Sequence, residues 1–134
     1  MEIRKSPLVF CVFLAACTST NSINIKEARS FTVEKYSLDE SRGCRRSDVN
    51  VNNARAEEFF HRAKQVEYRV IHDFYDIAPC SASGIVTYKG KKCNWNINAG
   101  GTGWINCSDN PDSSGHNFAC DSCDELLTYK DTKE

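Results

Sequence analysis

From Lys92 to Ala99 polar and apolar residues alternate without a break. Lys92, Asn94, Asn96 and Asn98 point one way, and Cys93, Trp95, Ile97 and Ala99 the other. A period of two is that of a strand with one buried face. Just upstream, Lys89-Gly90 separates two runs of strand character and predicts a two-residue hairpin turn, with the glycine at positive φ. That turn sets Tyr88 opposite Lys91, Val86 opposite Cys93 and Gly84 opposite Trp95. Paired residues share a face, so Val86, Tyr88, Cys93, Trp95 and Ile97 form one apolar surface. A slip by one residue would turn in Ile85 and Thr87 instead, so the pattern selects the register.

Gly100-Gly101-Thr102-Gly103 suits a loop better than a strand interior. A third strand is expected from Gly103 to Cys107. Turning Trp104 and Asn106 inward would bury an amide that needs partners, at a cost of ~1–3 kcal/mol if it found none. Turning in Ile105 and Cys107 avoids this and sets Ile105 opposite Trp95. The same register brings Cys93 opposite Cys107, within a disulfide's reach. Trp104 is then left on the other face, beside the glycine-rich loop, either open to a partner or packed under the amino-terminal strand.

The amino-terminal residues bear on location. Arg4 and Lys5 precede an apolar run from Pro7 to Ala16, too short to span a bilayer. It ends in Leu14-Ala15-Ala16-Cys17, which resembles the signal peptide and lipobox of bacterial lipoproteins. The resemblance covers residues 1–17 alone. It implies cleavage before Cys17 and lipid, palmitate included, on the cysteine sulfur and the new amino terminus. It also implies a place in the cell envelope, anchored to the membrane. Thr18, where an aspartate would signal inner-membrane retention, favours the outer membrane, facing the periplasm. An ordinary cleaved signal peptide, with Cys17 as one more disulfide partner, is the alternative. Three segments follow from this reading: a signal peptide (1–16), the lipidated cysteine with a polar tether (17–24), and one disulfide-stabilised domain (25–134).

Eight cysteines in 134 residues is a disulfide composition. With Cys11 removed and Cys17 lipidated, six remain: Cys44, Cys80, Cys93, Cys107, Cys120 and Cys123. An even number in an oxidising compartment implies three bridges, for which fifteen connectivities exist. Beside Cys93–Cys107, Cys44 and Cys80 are expected to pair with Cys120 and Cys123, as Cys80–Cys120 and Cys44–Cys123, because joining distant segments stabilises more in the chain-entropy account than closing the short Cys120–Cys123 ring. The order within those two bridges stays open.

The rest of the domain has one clear helix. Asn53 is a fair cap for a helix over Ala54 to Gln65, with Ala56, Phe59, Phe60 and Ala63 on one face and a Glu58–Arg62 pair outside. Ser30 to Leu38 reads as a strand. Gln65 to Ala78 fits either a strand or a short helix, and Pro79 ends it. Phe118-Ala119 reads as a short fourth strand, and Asp121 to Leu127 as a carboxy-terminal helix. The expected class is α+β: a small antiparallel sheet of three to five strands packed on one main helix and stapled by three disulfides.

The chemistry in the sequence is sparse. Cys120-Asp121-Ser122-Cys123 has the spacing of a thiol–disulfide motif, but no alternating βαβ pattern precedes it. His61, His72 and His116 lack the spacing of a zinc site, and oxidised cysteines offer no thiolate, so no metal is expected. Asp109 to Gly115 lacks the ligand spacing of a calcium loop. Asp73 and Asp76 flank Phe74 and Tyr75 as a conceivable carboxylate pair. No nucleophile elbow frames a serine, and no basic stripe interleaved with aromatic residues points to nucleic acid. No cofactor is expected. Lys89, Lys91 and Lys92 gather at the hairpin tip, while the carboxy-terminal part is acidic. A stapled scaffold carrying Trp104 beside Gly100, Gly101, Thr102 and Gly103 points to a binding module for a protein or for envelope material, of inhibitor or immunity type at the level of size and location. A periplasmic thiol-redox protein using Cys120 and Cys123, and a structural envelope component, are the alternatives.

Overall fold

The structure is a computed structural model that describes residues 22–110 and 115–129. The signal peptide, Cys17 and its expected lipidation lie outside the described residues.

Six strands form one antiparallel sheet: β1 (Ala28–Leu38), β2 (Lys64–Val66), β3 (Cys80–Tyr88), β4 (Lys91–Asn98), β5 (Thr102–Asn106) and β6 (His116–Ala119), in the order β1-β3-β4-β5-β6-β2. The α+β class holds, with one strand more than the expected upper count. The addition is β2, which takes Lys64 from the expected end of the helix and Gln65 and Val66 from the ambiguous stretch, and pairs with β6 through Gln65 and Phe118. Two helices accompany the sheet, α1 (Asn53–Arg62) and α2 (Tyr68–Phe74).

The hairpin register follows from its turn. Lys89 and Gly90 have φ of 51° and 80°, the doubly positive geometry whose twist matches that of paired strands. Tyr88 then pairs with Lys91, Val86 with Cys93 and Gly84 with Trp95. On the other side of β4, Trp95 pairs with Ile105 and Asn96 with Trp104. Cys93 is bridged to Cys107, with Cα atoms 4.3 Å apart. The turn between β4 and β5 is tighter than the sequence implies. Ala99, Gly100 and Gly101 make it, and Thr102 and Gly103 are already buried strand residues.

One face of the sheet carries the core. Phe60 lies at its centre, stacked on Phe31 at 5.5 Å and edge-on to Phe59, Trp95 and Phe118 at 5.0, 6.2 and 5.1 Å. Both Phe59 and Phe60 are fully buried, as their i, i+3, i+4 spacing with Ala56 requires of an amphipathic helix. The cap is one residue earlier than expected. Asn52 accepts from Arg55 N at 2.8 Å, while Asn53 accepts from Val33 N at 2.8 Å and ties the helix start to β1. The Glu58–Arg62 pair is present at 2.8 Å.

Two expectations are corrected. Cys44 is bridged to Cys80, and Cys120 to Cys123, each with Cα atoms 5.7 Å apart; the expected Cys80–Cys120 and Cys44–Cys123 bridges are absent. Loop entropy ranks bridges by what they remove from the unfolded chain, but proximity in the fold decides which form. Leu38 pairs with Cys80 at the end of β1. The turn that follows folds back through Asp39, whose carbonyl accepts from Cys44 N at 3.2 Å. Cys44 is thereby delivered to Cys80. The second correction concerns Asp121 to Leu127, which is a run of turns and not a helix. Leu126 O accepts from Asn50 N at 3.0 Å, Thr128 N donates to Asp48 O at 3.1 Å, and Leu127 bridges to Val49. Only one helical turn forms, with Leu126 N and Leu127 N both donating to Cys123 O at 3.0 and 3.1 Å, and pairing with the 48–50 segment draws the chain out at Leu127 before a second turn can follow.

Candidate functional site

The face of the sheet turned away from the core is polar. Its central row, read across the sheet, is Lys35, Ser83, Asn96, Trp104, Asn117 and Val66. Rows on either side add Thr32, Ile85, Asn94 and Asn106, and Ser37, Ser81, Asn98 and Thr102. Trp104 is 37% exposed, while Trp95, on the opposite face, is fully buried. Directly opposed strand residues have Cα atoms ~4.5–5.5 Å apart, so Asn96 and Asn117 flank the indole on both sides. Thr102 and Ala119 point outward yet are buried. The cause is α2, which packs on β6 at that end with Ile71 buried. Trp104 thus sits on an open polar face with a helix along one margin.

Gly100 and Gly101 belong to a different surface. They line a cleft of about 430 Å³, together with Tyr75, Ala78, Cys120, Asp121, Cys123 and Arg42. At Gly100 the lack of a side chain is a packing requirement; at Gly101 it permits a left-handed backbone. A Cβ on Gly100 would lie 2.1 Å from the Asp76 carbonyl oxygen. Gly101 holds φ of 100°, and its carbonyl accepts from Cys120 N at 2.8 Å. Asn98 fastens the same junction, because its amide exchanges two 2.9 Å hydrogen bonds with the backbone of Ala78. Alternation placed Asn98 among solvent-facing residues; the segment after α2 turns it into a clamp. The expected binding residues are therefore divided, with Trp104 on the sheet face, Gly100 and Gly101 at the cleft, and Thr102 and Gly103 buried.

The Cys120–Cys123 disulfide forms part of the cleft wall, with both residues buried. Its surroundings are acidic, with Asp121 and Asp124 lining the same cleft. Tyr75 donates to Asp121 Oδ1 at 2.6 Å. That hydrogen bond, followed by burial and the carboxylate charge, pushes the phenol above its ordinary value. Phe74 and Ile77 at the cleft margin are 78% and 63% exposed.

His61 lies 3.7 Å from Glu57 and His72 lies 3.1 Å from Asp73. Among the described residues no three His, Cys, Asp or Glu side chains converge to hold a metal. Among them, too, no helix is long and apolar enough to cross a membrane. Comparison of the chain with protein families, with characterised proteins and with solved structures finds no match.

Proposed function

We propose that this chain is a lipoprotein of the bacterial cell envelope, anchored through Cys17 to the outer membrane and facing the periplasm. Its stapled domain binds a partner, either another protein or envelope material, and does not transform it. The observation that carries this reading is Trp104, a large ring held in the open on a rigid sheet. Rigid aromatic residues supply contact area at little entropic cost and dominate binding surfaces. Pairing of all six domain cysteines in disulfides supports an oxidising compartment.

The test has two parts. Full-length protein should sediment with membranes, whereas Cys17→Ser should stay unprocessed and unlipidated. Crosslinking in whole cells should capture a ligand on the wild type and lose it in Trp104→Ala. A Cys17→Ser form that matures and sediments like the wild type overturns the anchor; capture indifferent to Trp104 overturns the binding surface.

A thiol-redox role remains the second reading, favoured by the Cys120–Cys123 disulfide at the cleft wall. It requires that a mild dithiol reductant open this bridge before the other two. Equal resistance of all three bridges, followed by thiol counting, removes that reading.

A further inference from the structure

We infer that the outer face of the sheet, centred on Trp104, is a docking surface for cell-wall glycan: an N-acetylated amino-sugar polymer bearing acidic stem peptides. This rests on the envelope-binding reading above and names its ligand.

The argument begins with what the face lacks. Among the paired outward positions of the described strands there is no carboxylate; Glu34 lies only in the bulge of edge strand β1. Around the indole stand Asn94, Asn96 and Asn117, with Ser83 beyond Asn96. Each amide offers two donors and an acceptor with two lone pairs, and among the described residues the side-chain amides of Asn94, Asn96 and Asn117 make no hydrogen bond within the fold. Such a ring of neutral donors and acceptors about one flat ring matches a pyranose. The sugar's C–H face stacks on the indole, and its hydroxyl and acetamido groups reach the flanking amides. A protein hot spot would instead seat its anchor in a well-packed pocket surrounded by occluding contacts. A membrane surface would call for a contiguous apolar patch, whereas Ile85 and Val66 lie apart from Trp104 with asparagines between them.

The rim supplies the second observation. Arg29, Lys35, Lys64 and Lys92 occupy the outward positions at the periphery, and among the described residues none of the four is in an ion pair. A neutral centre within a cationic margin complements a polymer whose backbone is neutral and whose branches carry carboxylates. Strand spacing of ~4.8 Å and a rise of ~3.4 Å per residue put Lys35, Lys64 and Lys92 about 12–15 Å from the indole, and Arg29 about 20 Å from it. That distance allows one sugar to sit on Trp104 while a stem peptide from the same strand reaches a lysine.

The experiment is co-sedimentation of the full-length chain, in mild detergent, with purified peptidoglycan sacculi. Chitotetraose and a soluble disaccharide-tetrapeptide are titrated in parallel. Wild-type protein should pellet with sacculi and bind both soluble probes, the peptide-bearing one more tightly and with the greater salt sensitivity. Trp104→Ala should weaken all three at least ten-fold, with Trp104→Phe restoring most of the binding. Lys35→Gln with Lys92→Gln should weaken only the ligands that carry stem peptides. Absence of sedimentation, or sedimentation unchanged by Trp104→Ala, overturns the inference. If Trp104 instead governs capture of an envelope protein from cells that lack sacculus binding, the glycan assignment falls and the binding reading stands. If Trp104 governs neither, both fall.

Discussion

Replacing Phe60 by alanine tests the packing of this domain most directly. The ring is fully buried and touches four other aromatic residues, Phe31, Phe59, Trp95 and Phe118. Losing the buried side chain forfeits ~2–3 kcal/mol of transfer free energy. The cavity left behind adds to this, because the surrounding rings are held by the sheet on one side and α1 on the other and relax only in part. Edge-on and stacked contacts contribute a further ~0.5–1.5 kcal/mol each beyond area, although they are not additive. The expected loss is therefore near the top of the ~3–5 kcal/mol range for Phe→Ala. A domain of about a hundred residues has ~5–15 kcal/mol in all. Urea unfolding, followed through Trp95 fluorescence, should show the midpoint fall by about 2 M at a slope of ~2 kcal/mol/M. Phe60→Leu, which refills most of the space, should cost about 1.5 kcal/mol or less. A loss below about 1.5 kcal/mol for Phe60→Ala, at unchanged slope, would refute the placement of this ring at the centre of the core.

Three further outcomes are expected. Gly84→Ala should destabilise by ~3 kcal/mol or more, because its Cβ would lie 1.8 Å from the Thr32 carbonyl oxygen; a thermal midpoint within 2–3 °C of wild type, on the order of 0.5 kcal/mol, would contradict the close approach of β1 to β3. The bridges Cys44–Cys80, Cys93–Cys107 and Cys120–Cys123 span 36, 14 and 3 residues. Serine pairs in their place should cost in that order, ~4, ~3 and ~1.5 kcal/mol in the chain-entropy account, and a Cys120/Cys123 pair that proved the costliest by urea unfolding would reverse it. Arg62, hydrogen-bonded to Glu125, holds that carboxyl below the usual carboxylate range. The pair's contribution is therefore complete above the ordinary glutamate value and fades as pH falls through the depressed one; the stability gap between wild type and Glu125→Gln should close on acidification, and a gap that widened would exclude the pair as its source.

The sequence by itself determined the β3–β4–β5 meander, because a period of two, a Lys-Gly turn and one unfavourable amide leave a single register that buries Val86, Trp95 and Ile105 together. It determined α1 as well, since Phe59 and Phe60 can be covered only if that face meets the sheet. These are local patterns, each readable within about thirty residues. Tertiary structure alone decided the rest. Cys44 meets Cys80 because β1 ends beside β3, and no spacing of cysteines encodes which strands are neighbours. Asp121 to Leu127 reads as a short helix, but it makes a single helical turn before Leu127 is drawn out to pair with Val49, a partner that only the fold brings near. Gly100 and Gly101 look like a flexible loop in sequence; in the fold they are the point where the segment after α2 and the Cys120–Cys123 turn converge, and the absence of a side chain at Gly100 makes room for another stretch of backbone. The face that Trp104 occupies was legible from register; that no other segment among the described residues covers the ring was decided by the fold. Its surroundings were not legible, because the amides of Asn96 and Asn117 come from strands on either side that only the sheet order makes adjacent.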